Sequence, residues 1–458
     1  MVKPVVFKFG GTSLQTADGI RKAVDIMAGS HAPLVVVTSA LGGVTNQLAS
    51  LIADPSLAAG KGEELRRLHL QIARDLGLES ADLADYEAHL AATLADLDQA
   101  GTTLDDRGRE RVLSIGERLS TYLVARVLSA RGIRSEYIDS RTLVRTDSVW
   151  GEARVDLDTT RTLVDQGLLP IVARGVIPIV TGFLGRNAKG DTTTIGRNGS
   201  DLSATVLGAC LDAGEVWIWT DVSGIYTADP RYYQGGRLLE EISFREAAEA
   251  AYFGASVIHP HTLWPLLETN VAVRIKNTFQ PEDPGTLICA HPKKRGNILI
   301  TTSIEGVSVI TVGGYGMLGI QGVAARIFSV VQTVGTSVLM ISQSSSEHNI
   351  SMVVRDAEVD KTVKSLHASL SEWMMSAHRI DHIRVVPDVA IITVVGEDMK
   401  GRSGIAGKFF TALGRSAINI IAIAQGSSEY SISAVIAAHE TRRAIEGIHR
   451  ELDEENDK

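Results

Sequence analysis

The chain has 458 residues, 44% hydrophobic and 22% charged, with a net charge of −9 and a pI near 5.8. That length holds two or three domains, and the acidic balance argues against a nucleic-acid or anionic-membrane partner. Cys210 and Cys289 are the only cysteines, too few for a disulfide framework and in no metal-ligand spacing; no apolar run reaches the ~18 residues of a membrane span, and without a leader-like N-terminus a cytoplasmic location is expected.

Val5–Phe9 is a predicted buried strand that runs into Gly10-Gly11-Thr12-Ser13. A glycine pair lets backbone approach an anion closely, and Lys8 brings positive charge to the same spot. The pattern is neither the Walker loop nor the Rossmann fingerprint. Asp18–Met27 follows as a helix, with Ile20, Ala23, Val24 and Met27 on one face, and Leu34–Ser39 as a second buried strand. From Leu57 to Ala130 the pattern is helical; Leu83, Tyr86, Leu90, Leu94 and Leu97 fall at steps of three and four. Pro170-Ile171-Val172 and Ile177–Val180 read as strands, Ser200–Leu211 as a helix and Val216–Trp219 as a strand. Strands alternating with helices predict a mostly parallel sheet covered on both faces. In such sheets ligands bind beyond the strand ends, where Gly10-Gly11, Ser39 and Asp221 lie.

The turn Gly196-Arg197-Asn198-Gly199 opens the Ser200–Leu211 helix, with Ser200 or Asp201 as its expected N-cap. Its arginine and amides suit an anion, and Asn198 tolerates positive φ. After Val216–Trp219 come Thr220, Asp221, Tyr226 and Arg231; an aromatic beside a polar turn suits a purine, and a following arginine suits its phosphates. A capped helix and a hairpin are the plain structural alternatives. His259 and His261 have no carboxylate or cysteine at metal spacing and are read as structural.

Residues 291–303 read as a linker, and beyond it the sequence repeats itself at an offset of 82. Gly322–Phe328 returns as Gly404–Phe410, and Gln343–Ser351 as Gln425–Ser433. Each copy reads strand, glycine loop, helix, strand, turn, strand, helix, and two such βαββα units bury their faces by pairing. Matched glutamines and glycine loops point to twin sites for a small polar ligand.

Taken together and in order, Lys8–Ser13, Ser39-Ala40 with Val44-Thr45-Asn46, Gly116–Ser120, Gly196–Asp201, Trp219–Arg231, and Phe253-Gly254-Ala255 with His259-Pro260 resemble the aspartate kinases of the amino-acid-kinase family. The repeats resemble ACT domains, and the Arg-Asn-Gly-Ser-Asp and Gln-Ser-Ser-Ser-Glu forms look most like the threonine-sensitive branch. That branch includes the kinase halves of bifunctional aspartokinase–homoserine dehydrogenases; no dehydrogenase part is expected in this sequence. The resemblance implies an α/β catalytic domain over 1–290 and ACT domains over 304–385 and 386–458.

It also implies transfer of the γ-phosphoryl group of ATP, carried with Mg2+, to the side-chain carboxylate of L-aspartate, the first step of lysine, threonine and methionine biosynthesis. Lys8 and the Gly10 and Gly11 amides would hold the phosphoryl group, and Asp201 would orient Lys8. Arg197 would take the α-carboxylate and Glu117 the ammonium group, with Ser39, Thr45 and Ser200 around them. Thr220, Asp221, Tyr226 and Arg231 would hold the nucleotide; Gln343, Gln425 and Asn419 would serve an amino-acid effector, expected to be threonine; Glu347 and Glu429 are the acidic groups that would suit lysine instead. A homodimer or homotetramer through the ACT domains is expected. The family's lysine after Phe-Gly-Ala is replaced by Ser256, with Arg231 or Lys276 as possible substitutes. That departure is the one support for an alternative reading, a non-catalytic amino-acid sensor.

Overall fold

A computed structural model describes residues 3–54, 60–98, 105–255, 257–293, 300–344, 348–375, 380–427 and 429–453. Contacts divide the chain into two units: 1–225 with 238–244 and 257–293, and 226–237 with 245–256 and 294–458. Among the described residues no helix is long and apolar enough to cross a membrane.

The first unit is built on an eight-stranded sheet in the order Ser135–Ile138, Ile177–Thr181, Leu34–Thr38, Val5–Phe9, Glu215–Thr220, Ala272–Asn277, Thr286–Cys289, Glu241–Ser243. All neighbours run parallel except Ala272–Asn277 against Thr286–Cys289. Every residue of Leu34–Thr38 is buried, as expected for a central parallel strand covered on both faces. Helix Ala17–Ala28 buries Gly19, Ile20, Ala23, Val24 and Met27. Helices Ser80–Asp98 and Ile115–Ala130 add Tyr86, Leu90, Leu94, Leu119 and Leu123 to the same core as Phe7, Phe9 and Trp219. Pro170-Ile171-Val172, predicted as strand, lies inside the short helix Leu169–Ala173. Proline is favoured in a first helical turn, where its missing N–H is no loss, and a three-residue apolar run has no period to separate the two readings.

The second unit contains a six-stranded antiparallel sheet in the order Met340–Gln343, Asn349–Arg355, Ile300–Gly313, His382–Val395, Ser431–Ala437, Ala422–Gln425. Helices Val323–Thr333 and Asp356–Met375 complete the first repeat, Ile405–Arg415 and Thr441–Asp453 the second. The matched glycines Gly322 and Gly404 precede the first helix of each copy with φ 85° and 97°. Strand Ile300–Gly313 starts inside the predicted linker, and His382–Val395 crosses the predicted boundary between repeats. The cause is the pairing itself: Ile300 lies opposite Val395, and Gly313 opposite His382. The leading half of each strand thus pairs with the trailing half of its copy, and a boundary drawn from the repeat falls inside a continuous strand. Each repeat keeps its own apolar core, and a third cluster, with Val307, Val309, Val389 and Ile391, joins them.

Candidate active site

Loops at the carboxyl ends of the central strands, together with the starts of helices Val44–Ala53, Ile115–Ala130 and Gly199–Cys210, line an open cavity of about 540 Å³ in the first unit. Lys8, Gly11, Ser39, Thr45, Glu117, Arg197, Ser200 and Asp201 all line it. Lys8 sits near the end of the strand Val5–Phe9, and its Nζ lies 2.5 Å from Asp201 Oδ1, with both side chains 10% exposed. A Cβ on Gly10 would stand 3.0 Å from that ammonium, so the glycine leaves the room the lysine occupies. Gly10's own amide donates to the Trp219 carbonyl at 3.3 Å, so of the two glycine amides expected on a phosphate, this one is engaged in the sheet.

Asp201 stands in the first turn of helix Gly199–Cys210, a position favoured for an anion by the helix dipole. The N-cap is Asn198, at φ 55° and without a side-chain cap, in place of Ser200 or Asp201. The helix's first hydrogen bonds run from the Asp201 and Leu202 amides to the Asn198 carbonyl, which puts Ser200 and Asp201 inside the first turn, and Ser200 packs against Gly182, where a Cβ would stand 2.6 Å from the Ser200 hydroxyl. Next to it, Arg197 is exposed, and among the described residues its guanidinium has no hydrogen-bond or ion-pair partner. It is a cation at a cavity wall with its donors unspent.

Glu117 lies in the first turn of helix Ile115–Ala130 and is 3% exposed. Burial pushes its carboxyl up to about 8, against the pull of the Ala40 amide and the Lys8 charge, and among the described residues its Oε2 has no hydrogen-bond partner. Gly116 makes this seat possible: a Cβ there would stand 2.7 Å from that of Ala40. The Ser120 hydroxyl ties the same helix to the loop, donating to the Ser39 carbonyl at 2.5 Å. Thr194, in the stretch Thr192–Asp201 that leads into the helix, also lines the cavity, and sequence reasoning missed Leu113, Gly151, Glu152 and Phe183, which line it too; the glycine of Trp150-Gly151-Glu152 was the one available signal, a turn.

Thr220 closes the strand Glu215–Thr220, and its hydroxyl donates to Asp221 at 3.0 Å; neither residue lines the cavity. Tyr226 and Arg231 belong to the second unit. Arg231 is held by Asp229, whose carboxylate accepts from its Nε and Nη2. Lys276 is buried and donates to the carbonyls of Pro281 and Asp283, so its ammonium is committed elsewhere. Ser256 and Glu347 lie outside the described residues. In the second unit Gln343 and Gln425 are the exposed last residues of the two outer strands, and Asn419 is exposed before the second of them. The Ser342 hydroxyl donates to the Ile423 carbonyl at 3.0 Å, so these outer strands meet.

The model of the amino acid kinase family matches residues 3–277. The chain belongs to that family. An ACT-domain model matches residues 310–370 and 392–452. The chain is homologous to aspartate kinases: it is 36% identical to the bifunctional aspartokinase/homoserine dehydrogenase of Haemophilus influenzae, over 98% of this chain and 56% of that one. It is 29% identical to lysine-sensitive aspartokinase 3 of Escherichia coli, over 99% and 100% of the two chains. The structure of E. coli aspartokinase III in complex with aspartate and ADP superposes with a TM-score of 0.80 at 29% identity, covering 98% of this chain and all of that one. The chain spans about half the length of the bifunctional relatives it matches.

Proposed function

We propose that the chain transfers the γ-phosphoryl group of ATP to the side-chain carboxylate of L-aspartate, forming 4-phospho-L-aspartate and ADP. The observation that carries this reading is the charge set of one cavity: the Lys8–Asp201 pair, the guanidinium of Arg197, unpaired among the described residues, and the buried carboxyl of Glu117 with one oxygen unsatisfied. A substrate with two carboxylates and one ammonium group complements that set. Arg197 takes the α-carboxylate in a charge-assisted pair. Glu117 takes the ammonium group, and the side-chain carboxylate is left pointing toward Lys8.

A carboxylate oxygen attacks the γ-phosphorus, and the bond from that phosphorus to the β–γ bridging oxygen breaks, the electron pair leaving with ADP. No proton need move. The protein's work is alignment and charge stabilisation. Lys8 neutralises charge on the transferring group, and Asp201 holds Lys8 in place. Mg2+ arrives with ATP as part of that substrate. Thr220, Asp221, Tyr226 and Arg231 are proposed for the nucleotide, with the Asp229 pair giving up one of Arg231's bonds to phosphate. E. coli aspartokinase III, bound to aspartate and ADP in its own structure, supports the pairing of substrates.

The ACT repeats are proposed to bind an amino-acid effector at Gln343, Gln425 and Asn419 and to inhibit by favouring a less active state. Threonine is the proposed effector, because a neutral amide suits a hydroxyl better than an ammonium tail; the lysine-sensitive E. coli relative makes lysine the competitor in the test. A homodimer or homotetramer through the ACT domains is proposed with it, as is a cytoplasmic location. ATP, aspartate and hydroxylamine should yield aspartyl hydroxamate. Absence of that product while aspartate or threonine still binds would favour a non-catalytic sensor.

A further inference from the structure

Glu110 lies in helix Asp106–Leu113, is 2% exposed, and stands behind the wall of the cavity rather than in it. A carboxyl in such a place is costly, and an apolar residue of similar size would pack there at lower cost. Burial holds it above the usual carboxylate range, with Thr194 and the Gly151 amide drawing it back. Its Oε1 accepts a hydrogen bond from the Gly151 amide at 2.6 Å.

Gly151 is at the tip of a short hairpin, with φ 80°. The base of the hairpin is closed by Asp147, whose amide donates to the Arg154 carbonyl at 3.0 Å, and whose Oδ1 accepts from the amides of Val149 and Arg154. One side is joined to the strand Thr192–Thr194, the Ala153 amide donating to the Thr194 carbonyl at 2.9 Å. That strand leads directly into Ile195-Gly196-Arg197. The tip meets the same turn: a Cβ on Gly196 would lie 3.5 Å from Glu152 Cγ and 3.6 Å from the Gly151 carbonyl. The turn bearing Arg197 is therefore braced from behind by a hairpin whose tip is tethered by Glu110.

We propose that Glu110 is a positioning residue for the substrate-carboxylate side of the cavity, acting through Gly151 and Glu152 on the turn that carries Arg197. It rests on the reading of Arg197 given above. What the tether needs is an acceptor oxygen: the carboxyl offers one to the Gly151 amide whether protonated or ionised, more strongly when ionised.

The test is steady-state kinetics on the full chain. Glu110→Met keeps the side-chain bulk and removes the acceptor; the KM for aspartate should rise about tenfold, with kcat and the KM for ATP within twofold, because a misplaced Arg197 weakens substrate binding before it slows transfer. Glu110→Gln keeps an oxygen for the amide and should return the aspartate KM to within twofold of the parent. If Glu110→Met melts below the assay temperature, Gly151→Ala, which strains the left-handed tip, should give the same aspartate-specific rise. Arg197→Ala is the control. If it raises the aspartate KM and Glu110→Met does not, or if Glu110→Met lowers kcat and weakens both substrates alike, the proposal is overturned while the site stands. If Arg197→Ala leaves the aspartate KM unchanged, the reading of the site fails, and the proposal with it.

Discussion

Glu117 offers the most quantitative test, because one group sets both a binding profile and a stability profile. With its carboxyl at about 8 in the free protein, about nine-tenths of the molecules carry it neutral at pH 7. In the proposed site the substrate's ammonium group would pair with the ionised form. Ionising Glu117 at pH 7 therefore costs about 1.4 kcal/mol, or a factor of ~10 in apparent affinity. The KM for aspartate should fall steeply from pH 6.5 toward 8, from about 30-fold above its plateau to about twofold, while kcat at saturating aspartate changes little. Glu117→Gln cannot ionise, so its KM should be high and flat across the same range. Stability moves the other way. A carboxyl whose folded value lies above its unfolded value of ~4.3 stabilises the fold fully below that pH, and the contribution is lost as pH rises through the folded value near 8. At pH 7 the loss is on the order of 3 kcal/mol, so Glu117→Gln should melt at a higher temperature than the parent at pH 7, and the gap should close toward pH 5. Initial rates against aspartate at half-unit pH steps, with melts in the same buffers, measure both. A flat aspartate KM between pH 6.5 and 8.5 in the parent would refute the reasoning.

Lys8→Ala should lower kcat by several orders of magnitude, measured as hydroxamate at saturating substrates, because it removes charge needed as the phosphoryl group transfers; retention of most of the kcat would remove Lys8 from the mechanism. Gly116→Ala places a methyl 2.7 Å from the Ala40 Cβ, and should destabilise by ~1–3 kcal/mol while raising the aspartate KM, since the shift displaces either Ser39-Ala40 or the turn bearing Glu117; an unchanged melt would count against this close packing. Gln343→Ala and Gln425→Ala should relieve inhibition by threonine with little effect on uninhibited kcat, and inhibition by millimolar lysine alone would reassign the effector.

What was legible in the sequence divides along a physical line. Strands Val5–Phe9 and Leu34–Thr38 and the helix after Thr16 could be read because period and punctuation are local properties. So could the places of Lys8, Arg197 and Asp201 along the chain, because a charged residue within two positions of a glycine turn, at a strand end or helix start, is set by a few neighbours. The register of the repeats was half legible: the offset of 82 marked two copies, but the pairing of Ile300 with Val395 is a property of the pair, and no single copy carries it. Pro170-Ile171-Val172 was too short to have a period. Burial is the most distant property. Nothing around Glu117 or Glu110 in the chain says that one carboxyl is 3% exposed beside an ammonium and the other 2% exposed behind a glycine amide; those environments are assembled from the Ser39-Ala40 loop in one case and from the hairpin near Gly151 in the other. Arg231 shows the converse. Its pairing with Asp229 needs only two residues of separation and an intervening Pro230, a local turn, yet it changes what the arginine has left to offer a phosphate. A site residue's type and place along the chain therefore fix the chemistry it is capable of, and the groups that reach it across the fold fix how much of that chemistry remains unspent. Among the described residues the guanidinium of Arg197 and one oxygen of Glu117 are two of the groups this cavity leaves unspent, and an amino acid carrying both a carboxylate and an ammonium group would complement both.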